Sequence, residues 1–175
     1  MGRTLIGPGF QVAPEAEARI LMLIDRFSRG RNVLEGRTKL AKLDFFLRYP
    51  AYLRLALEIR GIPVPDDLGL EAPDIESRMV RYRFGPWDPA YFTILGRLLG
   101  KGLVIPVPFN RGLGYRATDE GRRVVSQVRD EDTWAEVARR VDLIHRGLDL
   151  SGTTLKNFVY ANFPEISSAT WGERL

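Results

Sequence analysis

The sequence predicts a mostly α fold with a small β-hairpin wing and additional helices at its C-terminal end. Three observations predict it. Apolar residues recur at helical spacing along most of the chain, one β-favouring stretch with a central turn interrupts them at residues 102–117, and helical spacing then resumes to residue 162. With 175 residues, 45% of them hydrophobic and 27% charged, the chain can bury one sizeable core.

After a Gly/Pro-rich lead, Pro14 opens a helix to about residue 28, with Ile20, Leu23, Ile24 and Phe27 on one face. Ser28-Arg29-Gly30-Arg31-Asn32 ends it. Gly36-Arg37-Thr38 starts the next, whose face is Leu40, Leu43, Phe46 and Leu47. Tyr49-Pro50 predicts a break, because the residue before proline avoids the helical region, and residues 51–59 resume as a further helix. Residues 61–74 carry three prolines and no period, which predicts an exposed connection. Residues 75–84 fit either a short strand or an irregular approach to the next helix.

Gly85-Pro86-Trp87-Asp88-Pro89 is a start signal, with Asp88 placed to cap and Pro89 at the first helical position of a segment running to about Gly100. The run Gly102-Leu103-Val104-Ile105-Pro106-Val107-Pro108, a turn over Asn110-Arg111-Gly112-Leu113-Gly114, and Tyr115-Arg116-Ala117 form the predicted hairpin. Thr118 caps a helix to about Val128, with Asp119 and Glu120 in its first turn. Two more helices follow, over about residues 134–146 and 153–162, the second ended by Pro164.

Helices followed by a two-strand hairpin and a further helix is the order of a winged helix-turn-helix domain. The predicted organisation is such a domain over residues 1–130 and a helical extension over residues 131–175, packed on it or on a partner. Charge divides the same way. Residues 1–130 hold 21 basic and 15 acidic side chains, and residues 131–175 hold 5 and 7. The basic part suits a polyanion and the acidic tail suits something else.

Composition works against catalysis. The chain has no Cys and one His, which excludes disulfide scaffolds and thiolate metal sites and leaves little for a zinc site or a Ser-His-Asp triad. No catalytic residues, metal or cofactor are expected. Neither Gly7-Pro8-Gly9 nor Gly112-Leu113-Gly114 is followed by the Lys-Ser/Thr of a phosphate loop. The apolar runs are shorter than the roughly 20 residues a membrane span requires, and the expected residence is cytoplasmic.

Four motifs appear in an order that resembles two groups of bacterial winged-helix-like proteins. They are Gly36-Arg37-Thr38-Lys39-Leu40-Ala41-Lys42-Leu43, Tyr82-Arg83-Phe84-Gly85-Pro86-Trp87, Gly102-Leu103-Val104 and Tyr115-Arg116-Ala117-Thr118-Asp119-Glu120-Gly121. One group is the middle component of three-component ABC/SMC antiphage systems of the Lamassu type, and the other is the SocA-like antitoxin group. The first resembles the chain better, because the tail from Ser151-Gly152-Thr153-Thr154-Leu155 to Pro164-Glu165 looks like that group's C-terminal helix. The resemblance covers roughly residues 35–165, with Ala117 standing where a larger aliphatic is usual. It implies a non-catalytic bacterial subunit that sits on an SMC-like ATPase and bridges it to an effector subunit in antiviral or anti-plasmid defence, with non-specific double-stranded DNA as a further contact.

The candidate DNA contacts are Arg37, Lys39 and Lys42 in the most basic stretch, Thr93, Arg97 and Lys101 on one face of the helix before the hairpin, and Arg111 and Arg116 on the wing. The first group serves equally as a solvated helix start, with Lys42 on its outer face, or as a contact for an acidic protein. The Thr93-Arg97-Lys101 face lacks the Asn or Gln that would read bases, so it suits backbone contact better than an operator. A winged-helix repressor or antitoxin is the alternative function. The stripe of Leu155, Phe158, Val159 and Phe163, with Tyr160 beside it, is either core or the docking surface for a partner. His145 and the carboxylates Asp66-Asp67 and Asp130-Glu131-Asp132 lack the partners that catalysis or a hard metal requires.

Overall fold

The structure, a computed structural model, describes residues 13–69, 80–82 and 85–168. Its elements are α1 (Pro14–Phe27), α2 (Gly36–Arg48), α3 (Pro50–Ile59), β1 (Val80–Tyr82), β2 (Gly85–Trp87), α4 (Tyr91–Gly100), β3 (Val104–Phe109), β4 (Gly112–Ala117), α5 (Asp119–Arg129), a 3₁₀ turn (Asp132–Trp134), α6 (Ala135–Leu148), α7 (Gly152–Asn162) and α8 (Pro164–Ser168). The architecture is mostly helical with two small antiparallel hairpins, β1–β2 and β3–β4. Among the described residues no helix is long and apolar enough to cross a membrane.

Helix α2 is the centre of the fold. Its apolar face was legible, but α1, α3, α6 and α7 all lie against it, and every residue from Lys39 to Arg48 is buried. Lys42 therefore does not stand on an outer face, because α7 covers that side. The helices expected as an extension belong to the same buried cluster as the first three, with Leu143, Ile144 and Leu148 of α6 packed among residues of α1, α2 and α3. Charge inside this core is matched: Asp44 accepts from Arg19 Nε at 2.7 Å and from Arg48 at 3.4 Å, and Arg48 also donates to Asp88 at 2.8 Å.

Several boundaries differ from expectation for identifiable reasons. Asp88 Oδ1 accepts from the Ala90 amide at 2.9 Å while its other oxygen holds Arg48, so residues 89–90 form a turn and α4 starts at Tyr91. α7 ends at Asn162, just before Pro164 as expected, and Pro164 in turn opens α8; Phe163, outside both helices, turns its ring into the core. The connection after α3 is tied down over its described part. Arg54 donates to the carbonyls of Pro65, Asp66 and Leu68, and Leu68 is buried. Residues 70–79, 83 and 84 lie outside the described residues, and the strand alternative for residues 75–84 is observed at β1.

The β3–β4 hairpin is longer and tighter than predicted. Its strands pair from Val104 with Ala117 to Phe109 with Gly112, leaving only Asn110 and Arg111 in the turn. Asn110 takes a left-handed φ of 51°, as a two-residue hairpin requires. The glycines read as turn residues instead lie in β4, and Gly114 passes so close to Val33 and Leu34 that a Cβ would sit 3.0–3.1 Å from their atoms. This approach lets Leu34 exchange two backbone hydrogen bonds with Tyr115, at 3.0 and 2.9 Å, and join the segment between α1 and α2 to the hairpin. Thr118 caps α5 as expected, accepting from the Gly121 amide at 3.0 Å.

Candidate functional site

The first turn of α2, the start of α4, the tip of the β3–β4 hairpin and the first turns of α7 surround an open groove of about 1180 Å³. Each wall has a local cause. The left-handed Gly36 turns the chain into α2, the short turn at Asn110 projects Arg111, and Ser151 fixes the start of α7 by accepting from the Thr154 amide at 3.2 Å.

The charge of the groove is one-sided. Among the described residues, Arg37, Lys42, Arg111 and Lys156 line it, against a single carboxylate, that of Glu35. That carboxylate is already engaged, since one oxygen lies 3.6 Å from Lys39 Nζ and the other accepts from the Gly152 amide at 3.1 Å. No acidic residue occupies the first turn of α2 or of α7, so the positive ends of two helices add to the field. Lys42, only 3% exposed, has its pKa lowered from 10.5 to about 8, first by burial and then by repulsion from Lys156. An anion at the groove floor would relieve both effects.

Aromatic rings lie among these cations. Phe92 is 57% exposed, and the Arg37 guanidinium lies 4.4 Å from its ring centroid. Trp87 packs edgewise on Tyr91 and meets Phe92 at 5.8 Å between centroids, while Phe109 and Tyr115 line the hairpin side. The arrangement can hold a polyanion and stack planar groups.

Of the residues singled out from the sequence, Arg37, Lys42 and Arg111 meet in this groove. Lys39 is buried beside it with its ammonium 5.7 Å from the Phe27 ring. Arg97 and Lys101 turn to α1, where Glu17 accepts from them at 3.4 and 2.5 Å, and Thr93 is half-buried on α4. Arg116 donates to the carbonyls of Gly30 and Asn32 at 2.7 and 2.8 Å and so fastens the hairpin to the α1–α2 loop. The C-terminal stripe faces inward. Leu155, Val159 and Phe163 are buried, Phe163 contacts the rings of Phe46, Tyr52 and Phe158, and Phe158 and Tyr160 are half-buried. The stripe is occupied within the chain because α7 needs an apolar face to pack on α2.

Lys156 and Phe92 were not among the sequence candidates. Lys156 has a signal, a lone lysine one turn after the Ser151 cap, but its nearness to Lys42 exists only in the fold.

Elsewhere the chemistry is self-contained. A recess of about 340 Å³ gathers Arg29, Arg122 and Arg129, yet Asp25 lies 3.2 and 4.0 Å from the first two and Asp142 2.5 Å from the third. His145 packs against Phe27 at 5.0 Å and lies 3.5 Å from Asp149, its pKa lowered by burial and by Arg26. Asp67 pairs with Arg139 at 2.9 Å, and among the described residues no three acidic or histidine side chains form a group able to hold a metal. Comparison of the chain with protein-family models, with curated proteins and with solved structures returns no match.

Proposed function

We propose that this chain is a non-catalytic binding subunit of winged-helix type that holds a polyanion in the groove between α2, the hairpin tip and α7. One observation carries the reading: among the described residues, four cationic side chains line a concave surface whose one carboxylate is committed to Lys39 and Gly152. A surface so unbalanced attracts an anionic partner over several ångströms and holds it with a salt-dependent affinity. The winged-helix identity is supported by the succession α1, the Leu34 pairing, α2, α4 and the β3–β4 hairpin, with α3 and β1–β2 between the second and third of its helices.

The setting we propose is a bacterial defence complex built on an SMC/ABC-type ATPase, in which the chain connects ATPase, effector and nucleic acid in the cytoplasm. It is supported by the motif order over residues 35–165. The test is affinity purification of the chain with the products of its native chromosomal neighbours, with and without nuclease, followed by mass spectrometry. Stoichiometric retention of a large ATPase after nuclease treatment is the expected result. Recovery of the chain with duplex DNA alone would sink the ATPase setting and favour a free-standing repressor.

A further inference from the structure

We infer that the groove is built for single-stranded nucleic acid in preference to duplex, an inference that rests on its reading as a polyanion site. Three features separate the two ligands.

The first is exposed ring surface among cations. In a duplex the base faces are hidden by stacking and only edges and backbone are offered, so an aromatic platform gains little from it. A single strand offers its base faces, and aromatic side chains and arginine planes take them up. Phe92 is more than half exposed, and Arg37 lies over its ring at 4.4 Å. Arg37 is itself exposed, so the guanidinium stacked on Phe92 offers a planar surface to a base, with Lys42, Lys156 and Arg111 around it for phosphates.

The second is the state of the surface a winged module would lay on a duplex. Arg97 and Lys101 are held by Glu17, and Arg116 is spent on the Gly30 and Asn32 carbonyls. These three cations thus already have partners within the chain. Arg37, Arg111 and Lys156 make no ion pair with any described carboxylate.

The third is shape. A helix that reads a duplex projects from the surface into a groove of the DNA. Here the positive surface is itself concave, bounded by the hairpin tip on one side and the start of α7 on the other. One strand can lie along it with its bases turned to Phe92 and its phosphates to Lys42 and Lys156.

The test uses the full chain and fluorescein-labelled oligonucleotides read by anisotropy: a 12-nucleotide oligo-dT, oligo-rU of the same length, and a mixed-sequence duplex of the same length. The single strands should bind at least tenfold tighter than the duplex, and the dT and rU arms decide which sugar is preferred. Lys156→Glu should lower single-strand affinity at least tenfold. Phe92→Ala should lower it several-fold while Phe92→Trp retains it, with circular dichroism and melting temperature confirming folded variants. Arg97→Gln, outside the groove, should leave it within twofold. Equal or tighter duplex binding would overturn the single-strand inference and leave the polyanion reading standing. Unchanged affinity in both Phe92→Ala and Lys156→Glu would remove the groove from binding altogether. Equal competition by an acidic peptide of the same length would replace nucleic acid with an acidic protein partner, and absence of binding to every oligonucleotide at low salt would overturn both readings.

Discussion

The hydroxyl of Tyr91 donates to the fully buried carboxylate of Asp44 at 2.7 Å, joining α4 to the centre of α2. The same carboxylate receives Arg19 from α1 and Arg48 from its own helix, and through Arg48 it reaches Asp88 at the approach to α4. Three helices are thereby oriented around one charge. A buried ion cluster adds little net stability over an apolar equivalent but becomes costly when one member is removed. The groove depends on this arrangement, because α2 and α4 supply Arg37, Lys42 and Phe92.

Asp44→Asn should therefore lower stability by about 3–5 kcal/mol in urea denaturation, since Arg19 and Arg48 lose their counter-charge. Burial alone would raise the Asp44 pKa, but Arg19, Arg48 and the Tyr91 hydroxyl together hold it below the ordinary carboxylate value. A lowered folded pKa contributes stability that is fully present above the unfolded value, near pH 4, and is lost as pH falls through the folded one. The wild-type protein should lose that contribution in acid, and Asn at position 44 should flatten this part of the acid limb.

Lys42 also has a lowered pKa, but here it is the charged form that the fold disfavours. Its pKa of about 8 in the fold, against 10.5 without the fold around it, means that the unfolded chain holds the proton between those values while the folded chain does not. Stability should accordingly rise with pH across that window. Lys42→Met, which keeps the length and removes the charge, should stabilise the protein at pH 7 by up to about 3 kcal/mol, measured by chemical denaturation. The same substitution should weaken oligonucleotide binding, separating what the residue does for the fold from what it does for the ligand.

Salt dependence tests the groove cations one at a time. Each phosphate neutralised on a single strand contributes about −0.7 to the slope of log affinity against log salt. Arg111→Gln and Lys156→Gln should each make the slope less negative by about that amount, and Arg116→Gln, whose guanidinium is bonded to loop carbonyls, should leave it unchanged. Anisotropy titrations at several salt concentrations would read it.

Gly121 should tolerate no side chain. A Cβ there would lie 2.1 Å from the Leu103 carbonyl oxygen, a backbone atom that also accepts from the Thr118 amide. Gly121→Ala should cost about 2–3 kcal/mol by overpacking, read as a fall in melting temperature. The hairpin would shift with it, because Leu103 leads directly into β3.

Periodicity exposed the helices and one face of each, and capping residues marked several of their ends. Ile20, Leu23, Ile24 and Phe27 are buried as their spacing implies, and Thr118 caps α5. What was hidden is what later segments do to earlier ones. Nothing near Lys39 or Lys42 announces that α6 and α7 will cover α2, so two lysines read as surface groups are buried. Glu17 gives no local sign that it will accept from Arg97 and Lys101, and a single pairing residue such as Leu34 is too short to leave a pattern. Half of the candidate groove was visible as a basic stretch, whereas its other half, Phe92 and Lys156, enters through tertiary packing.

The burial of α2 by α6 and α7 also sets an order of events during synthesis. Until those late helices emerge, the nascent chain carries a central helix with one flank open. Native contacts of such wide sequence separation are slow to form. Folding should therefore complete only when α7 has left the ribosome, and a force-sensing arrest peptide fused at successive lengths should report its release signal at that point and not after the hairpin.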